Sequence, residues 1–231
     1  MIDTKRSRVE QRPFFKVDPT AVWEAGQIAT LKNIGGETVV TLLTDPVNEV
    51  PLGVFWRPKA VTLTEAVKEK VKLTGTDSIS LSHANLEDAS EIVTDLAETT
   101  KYVKDTDYTI NYVNGLIARI ATGGIADGQE VLVTYRYKKT AQEIAMQPQR
   151  FERVPDATLG SGMVTVIMGH AIIYTDQYDT SQQYSLNAAL YVNEQGRFTS
   201  ANTGSRVVGK VIAVPTVGYP LLGVELRPTI I

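Results

Sequence analysis

The chain has 231 residues, 43% of them apolar and 21% charged, which is enough for one large domain or two small ones with a buried core. Its formal charge is -3, from 23 Lys+Arg against 26 Asp+Glu, so it lacks the basic excess of a dedicated nucleic-acid binder. The absence of cysteine excludes thiol catalysis, disulfide stapling and cysteine-ligated metals, and two histidines, His83 and His170, leave little for imidazole chemistry.

The first residues are basic with no apolar run behind them, unlike a signal peptide, and no stretch approaches the ~18 apolar residues of a membrane span. Synthesis and assembly in a cytoplasm-like compartment are therefore expected. Lys5, Arg6, Arg8 and Arg12 fall within twelve residues that lack a core-forming pattern. Residues 1–12 are either a frayed terminus or an extended arm that orders on an acidic neighbouring subunit. Four cations are too few for nucleic-acid binding to be the main role.

Apolar periodicity along the rest of the chain is mostly two. Residues 26–32 and 37–43 read as strands joined by a Gly35-Gly36 turn, and 50–56 as a third that Pro58 closes. Over 67–73, Val67, Glu69, Val71 and Leu73 alternate with Lys68, Lys70 and Lys72, which predicts a strand with a lysine-guarded outer face, or else a short helix around 64–70. Short apolar segments at 79–81, 92–96, 108–112, 116–120 and 131–137 follow at close spacing. Asn114-Gly115 predicts a two-residue type I′ hairpin, and Asp127-Gly128 the next reversal. Together these predict a small antiparallel β-sandwich of immunoglobulin-like size, one that folds even as a fragment of about residues 74–140.

After Tyr137 the character changes. Residues 140–149 are either a short helix ended by Pro148 or a linker, and strands resume at 163–168, 171–174, 188–192, 207–214 and 222–226. Residues 175–186 are polar, lack an apolar period and read as a long loop or surface hairpin. Leu52-Gly-Val-Phe-Trp-Arg-Pro58 and Leu222-Gly-Val-Glu-Leu-Arg-Pro228 agree at five of seven positions, each closing a β segment; Gly26-Gln-Ile-Ala and Gly169-His-Ala-Ile form a weaker pair. The fold expected is all-β: an N-terminal arm (1–12), a split β-barrel or sandwich domain (13–60 plus 148–231), an inserted Ig-like antiparallel β-sandwich (61–140), and a linker or short helix (141–147). Insertion at a surface loop is tolerated because closure entropy grows slowly with connection length. Two tandem domains are the competing layout. Residues 61–140 hold 9 basic and 12 acidic side chains, more acidic than either flank.

Motifs for chemistry are scarce. Gly160-Ser-Gly162 lacks the strand and helix context of a nucleophile elbow, and the two histidines stand at strand ends or turns. No HExxH, paired-histidine or EF-hand spacing occurs, and Glu87-Asp88 and Asp105/Asp107 are expected as solvated turn residues, the latter bonding nearby backbone before a strand. Gly123-Gly124 lacks the features of a phosphate loop, and Arg136-Tyr-Lys-Lys139 is expected to end a strand in solvent. No catalytic residue, metal site or cofactor is expected. A carbohydrate-binding module would need an exposed aromatic platform, and Trp56, alternating with Val54, is expected in the core.

The segment Tyr102-Val-Lys-Asp-Thr-Asp-Tyr-Thr-Ile-Asn-Tyr-Val-Asn-Gly-Leu-Ile-Ala-Arg-Ile, continuing through Gly124-Ile-Ala-Asp-Gly-Gln-Glu-Val-Leu-Val-Thr-Tyr-Arg-Tyr137, resembles a β module of tailed-bacteriophage virion proteins, with its Asp-Tyr-Thr strand, Asn-Gly hairpin, Gly-Ile-x-x-Gly turn and final Val-x-Val-x-Tyr-x-Tyr strand. The flanks, Glu24-Ala-Gly-Gln-Ile-Ala, Pro51-Leu-Gly-Val, Ala188-Ala-Leu-Tyr-Val-Asn-Glu-Gln-Gly-Arg-Phe-Thr and Val208-Gly-Lys-Val-Ile-Ala, resemble phage capsid decoration (cement) proteins, whose minimal fold lacks the inserted sandwich. The resemblance implies a non-enzymatic structural protein on the capsid surface of a virion assembled in the host cytoplasm. Its partners would be the major capsid protein and copies of itself, as a homotrimer or other symmetric oligomer, with no membrane and no specific nucleic acid. A tail tube or other tail subunit is the alternative within that class, and a carbohydrate-binding β-sandwich or a cryptic hydrolase the alternatives outside it.

Overall fold

The computed structural model describes residues 8–11, 14–59, 64–145, 162–202 and 204–227, and it is all-β. Five strands come first: β1 (Arg8–Gln11), β2 (Phe14–Lys16), β3 (Ile28–Ile34), β4 (Glu37–Leu42) and β5 (Pro51–Phe55). Seven follow: β6 (Thr64–Leu73), β7 (Ile79–Ser80), β8 (Ile92–Thr94), β9 (Lys101–Tyr102), β10 (Tyr108–Asn111), β11 (Leu116–Arg119) and β12 (Gln129–Lys138). After a short helix, α1 (Ala141–Ala145), come β13 (Met163–Thr175), β14 (Ala189–Val192), β15 (Phe198–Thr199), β16 (Gly209–Ala213) and β17 (Leu222–Leu226).

Hydrogen bonding divides these strands cleanly. The first five and last five form one antiparallel sheet, ordered β15-β14-β16-β17-β13-β5-β3-β4 with β1 and β2 also on β13, and it curls into a half-barrel. Residues 64–138, hereafter the module, form two sheets of their own, β6-β12-β8-β9 and β10-β11-β7. Apolar clusters follow the same division: Ile28, Trp56, Ile173, Tyr178 and Leu222 belong to one half-barrel cluster, Trp23, Phe55 and Val166 to another, and Val133, Tyr135 and Ile117 to the module's.

The organiser of the half-barrel is β13, where the sequence predicts two strands and the structure has one. Gly169 sits at its middle with φ 73°, a left-handed conformation that glycine adopts at no steric cost and that turns the strand without ending it. Ahead of Gly169, β13 pairs β5 through Val166 and Ile167; after it, residues 171–175 pair β17. The two Leu-Gly-Val heptapeptides are therefore the two strands laid along successive halves of β13. Their shared glycine has a steric reason in each copy. A Cβ at Gly53 would run into the Ile167 carbonyl oxygen, and one at Gly223 would stand 2.7 Å from the Ala213 Cβ. Gly53→Ala should accordingly lower stability by about 1–3 kcal/mol through overpacking, read as the urea midpoint of the half-barrel.

Residues 8–11 are not part of a free arm. Their backbone pairs β13, with Arg8 opposite Ile172 and, after a one-residue register shift, Gln11 opposite Met168, and β2 pairs the same strand beyond.

In the module, β6 is a strand throughout and pairs β12 over ten residues, Thr64 opposite Lys138 and Leu73 opposite Gln129. The fragment expected from residue 74 would therefore lack one of the two longest strands of the sandwich. The Asn114-Gly115 hairpin is also longer than predicted. Asn111 pairs Leu116, leaving a four-residue loop in which Gly115 has positive φ (62°) and Asn114 does not. Tertiary docking selects this loop over a type I′ turn: the carbonyls of Tyr112, Val113 and Gly115 accept the amides of Leu86, Asn85 and Leu81. Helix α1 begins with a capping box, Thr140 Oγ1 accepting the Glu143 amide (3.2 Å) and Glu143 accepting the Thr140 amide (2.7 Å).

Candidate functional site: a buried polar seam

Alternation along β12 sends Val131, Val133, Tyr135 and Tyr137 into the module core, leaving Leu132, Thr134 and Arg136 for the other face. Arg136 was expected to end the strand in solvent; it is 0% exposed, because its face of β12 lies against the half-barrel. The covering segment is the polar stretch that begins with the last residue of β13, also expected on the surface. Thr175, Asp176, Gln177 and Tyr178 are all buried.

Across the seam, module cations meet half-barrel carbonyls, and one half-barrel cation, Arg197, meets a module carboxylate. The Arg136 guanidinium donates to the Asp176 carbonyl and to Thr64 Oγ1 (3.3 Å), and its Nε stands 3.9 Å from Glu87 Oε2. Arg197, in the turn between β14 and β15, donates to Glu87 Oε1 at 3.0 Å. Gln177 donates to Glu24 (2.9 Å) and to the Asp176 carboxylate (3.0 Å), and Thr64 donates to Glu24 at 3.1 Å. Lys68, predicted on a solvated lysine face, has a side chain only 5% exposed and donates to Glu98 (2.7 Å) and the Pro215 carbonyl (2.9 Å). Lys101 reaches the Ser181 carbonyl (3.2 Å), and Gln183 the Glu98 carbonyl (2.9 Å).

Burial opposes the charge of the Asp176 carboxyl, while the Arg136 guanidinium and the Gln177 amide favour it. Arg197 is shifted down by burial and by Arg136, with Glu87 working the other way. Glu87 thus sits between two buried guanidinium groups. Neither motif nor spacing marks these residues in the sequence. One signal existed: Tyr178 and Tyr184 place two large aromatic bodies in a nominally solvated loop, and their rings pack edge to face at 5.5 Å.

The residues weighed for chemistry are dispersed. His83 stacks on Tyr137 at 3.8 Å, with Nδ1 3.6 Å from Glu143. His170 lies half exposed on the half-barrel, Nε2 3.0 Å from Glu225, which also pairs Lys210 at 3.0 Å. Those two partners, His170 first, hold the Glu225 carboxyl below its ordinary range. Ser161 of the Gly-Ser-Gly motif lies outside the described residues, as do Lys5, Arg6 and Arg12 and the side chain of Arg8. Trp23 and Trp56 are both buried, Trp23 stacked on Phe55 at 4.4 Å, so neither forms an exposed sugar platform. Among the described residues, no group of three or more His, Asp or Glu side chains is placed to hold a metal ion, and no helix is long and apolar enough to cross a membrane. A groove of about 730 Å³ lined by Val17, Pro19, Ile34 and Val39 has its charges already engaged: Lys16 pairs Glu37, and Lys59 binds the Pro19 and Ala21 carbonyls.

Asp107 has the structural part predicted for it. It accepts the amides of Val103 and Gly124, both at 2.7 Å, and so ties the Asp-Tyr-Thr strand to the Gly-Ile-x-x-Gly turn. These bonds hold its carboxyl below the usual 3.8, as bonds led by the Thr20 hydroxyl do for Asp18 and by the Thr100 amide for Asp95. A carboxyl with a depressed folded pKa contributes stability above its unfolded pKa and loses it as pH falls through the folded value. Urea midpoints should be level from pH 7 to about pH 5 and fall below about pH 4. Asp107→Asn should lower stability at pH 7 and flatten part of that acid limb.

Comparison of the chain with protein-family models, curated proteins and solved structures found no match.

Proposed function

We propose that this chain is a non-enzymatic structural protein of a tailed-bacteriophage virion, a decoration protein that binds the capsid surface and stabilises the lattice. The observation that carries the reading is that the resembling segments coincide with structural units. The stretch from Tyr102 to Tyr137 runs from the end of β9 through β10, β11 and β12, four strands of the module, and the decoration-like flanks supply β5, β14, β15 and β16 and the start of β3 in the half-barrel. The mechanism is burial of surface across junctions of the major capsid protein. Its free energy is spread over contacts at many symmetric sites, and copies of the chain associate as a symmetric oligomer such as a trimer. The basic residues Lys5 and Arg6 at the start of the chain contribute salt-sensitive attachment to an acidic neighbour.

Undecorated heads of the phage that encodes the chain provide the test. The purified protein should co-sediment with them, saturate at a fixed stoichiometry and raise their resistance to heat. Lys5→Ala with Arg6→Ala should weaken binding most at low salt and leave the protein's own melting temperature unchanged. No co-sedimentation at any salt concentration would overturn the reading.

A further inference from the structure

The module and the half-barrel each have a complete apolar core, whereas the seam between them is polar. Among the described residues, Ala66 is the one module residue that joins a half-barrel cluster, and the remaining seam contacts described above are ion pairs and hydrogen bonds. Separation along this plane would therefore expose little apolar surface and would return charged groups to water. The seam is also incompletely satisfied when closed. Arg136 Nε, Arg197 Nε, Glu87 Oε2 and Gln177 Oε1 are buried without a hydrogen-bond partner among the described residues.

We propose that the seam is a latch: the module separates from the half-barrel as an intact body, at a free energy below that of unfolding either one, with Glu87 as the counter-charge that keeps it shut. The physical basis is the contrast between two dry cores and one ionic interface, since sub-global openings follow the planes of least apolar burial. Glu87 is the pivotal group because, among the described residues, it makes the ion pair that crosses the seam, to Arg197 at 3.0 Å, while Arg136 stands beside it on the module's own side. This inference is independent of where the protein works.

The chain has no cysteine, so single thiols report cleanly. Thr134→Cys places one on the seam face of β12, beside Arg136 and opposite Lys68, where the native side chain is buried. Val133→Cys and Val166→Cys place controls in the module and half-barrel cores, where both native side chains are fully buried. In the full-length protein under native conditions, the seam thiol should react with a disulfide reagent at least about tenfold faster than either control. Glu87→Gln should accelerate the seam thiol further and leave both controls unchanged. Equal rates at all three positions, or equal acceleration by Glu87→Gln, would overturn the latch, because the chain would then open only by global unfolding. Should Thr134→Cys fail to fold, small-angle scattering of Glu87→Gln alone decides: the latch predicts a larger radius of gyration at unchanged strand content, and an unchanged radius contradicts it.

Discussion

Arg136→Ala splits a single unfolding transition into two. The side chain is fully buried, and removing it leaves Glu87 with one cation fewer and the Asp176 carbonyl without its donor. Glu87 keeps Arg197, so the loss across the seam is the donor to a buried carbonyl, which weakens the closed state by about 1–3 kcal/mol. Because each side of the seam keeps its own core, the loss falls on the interface rather than on either fold. The chain offers a built-in way to see this. Trp23 and Trp56, its only tryptophans, both lie in half-barrel clusters, while the module core carries Tyr102, Tyr108, Tyr135 and Tyr137. Tryptophan fluorescence therefore follows the half-barrel, and far-ultraviolet circular dichroism follows both bodies. In urea the two probes should coincide for the parent protein and separate for Arg136→Ala. Coincident curves in the variant, with a midpoint close to the parent's, would show that Arg136 does not couple the two parts.

The second large effect is all-or-none. A fragment of residues 61–140 should fold cooperatively and alone, whereas one of residues 74–140 should not. The difference is β6, which pairs β12 along its whole length and contributes Val71 and Leu73 to the module core. In the longer fragment Arg136 and Lys68 meet water instead of the half-barrel, which is a favourable exchange for a charged group. Dispersed amide resonances for 61–140 and collapsed ones for 74–140 are the expected pair of spectra. Folding of the shorter fragment would mean that β8 and β12, with the three-stranded sheet, suffice without β6.

The strands were legible because period-two alternation reports a strand wherever one face is dry. The Gly35-Gly36 turn, the alternation of β12 and the Asp107 turn all rest on local chemistry and are as expected. What alternation cannot report is what covers the second face. Lys68 and Arg136 stand at positions where charge ordinarily means solvent, and partners far away in sequence, Glu98 and Glu87 in the module and the Pro215 and Asp176 carbonyls of the half-barrel, make burial tolerable there. The same limit explains the stretch after β13. Thr175, Asp176 and Gln177 are polar because they serve a polar interface, not because they face water. Asn114 failed for a related reason: loop carbonyls docked on residues 81–86 override the local preference for a two-residue turn. The heptapeptide repeat identified two kindred strands, but only the pairing of both with β13 gives it meaning.

Electron cryomicroscopy of heads incubated with the purified chain is the most direct test of the proposed role. The account predicts added density at the junctions between capsid subunits, repeated with the lattice symmetry. The half-barrel and the smaller module should each be fitted in that density. Heads that remain bare while the same chain is found in the tail of the intact particle, or in no particle at all, would contradict it.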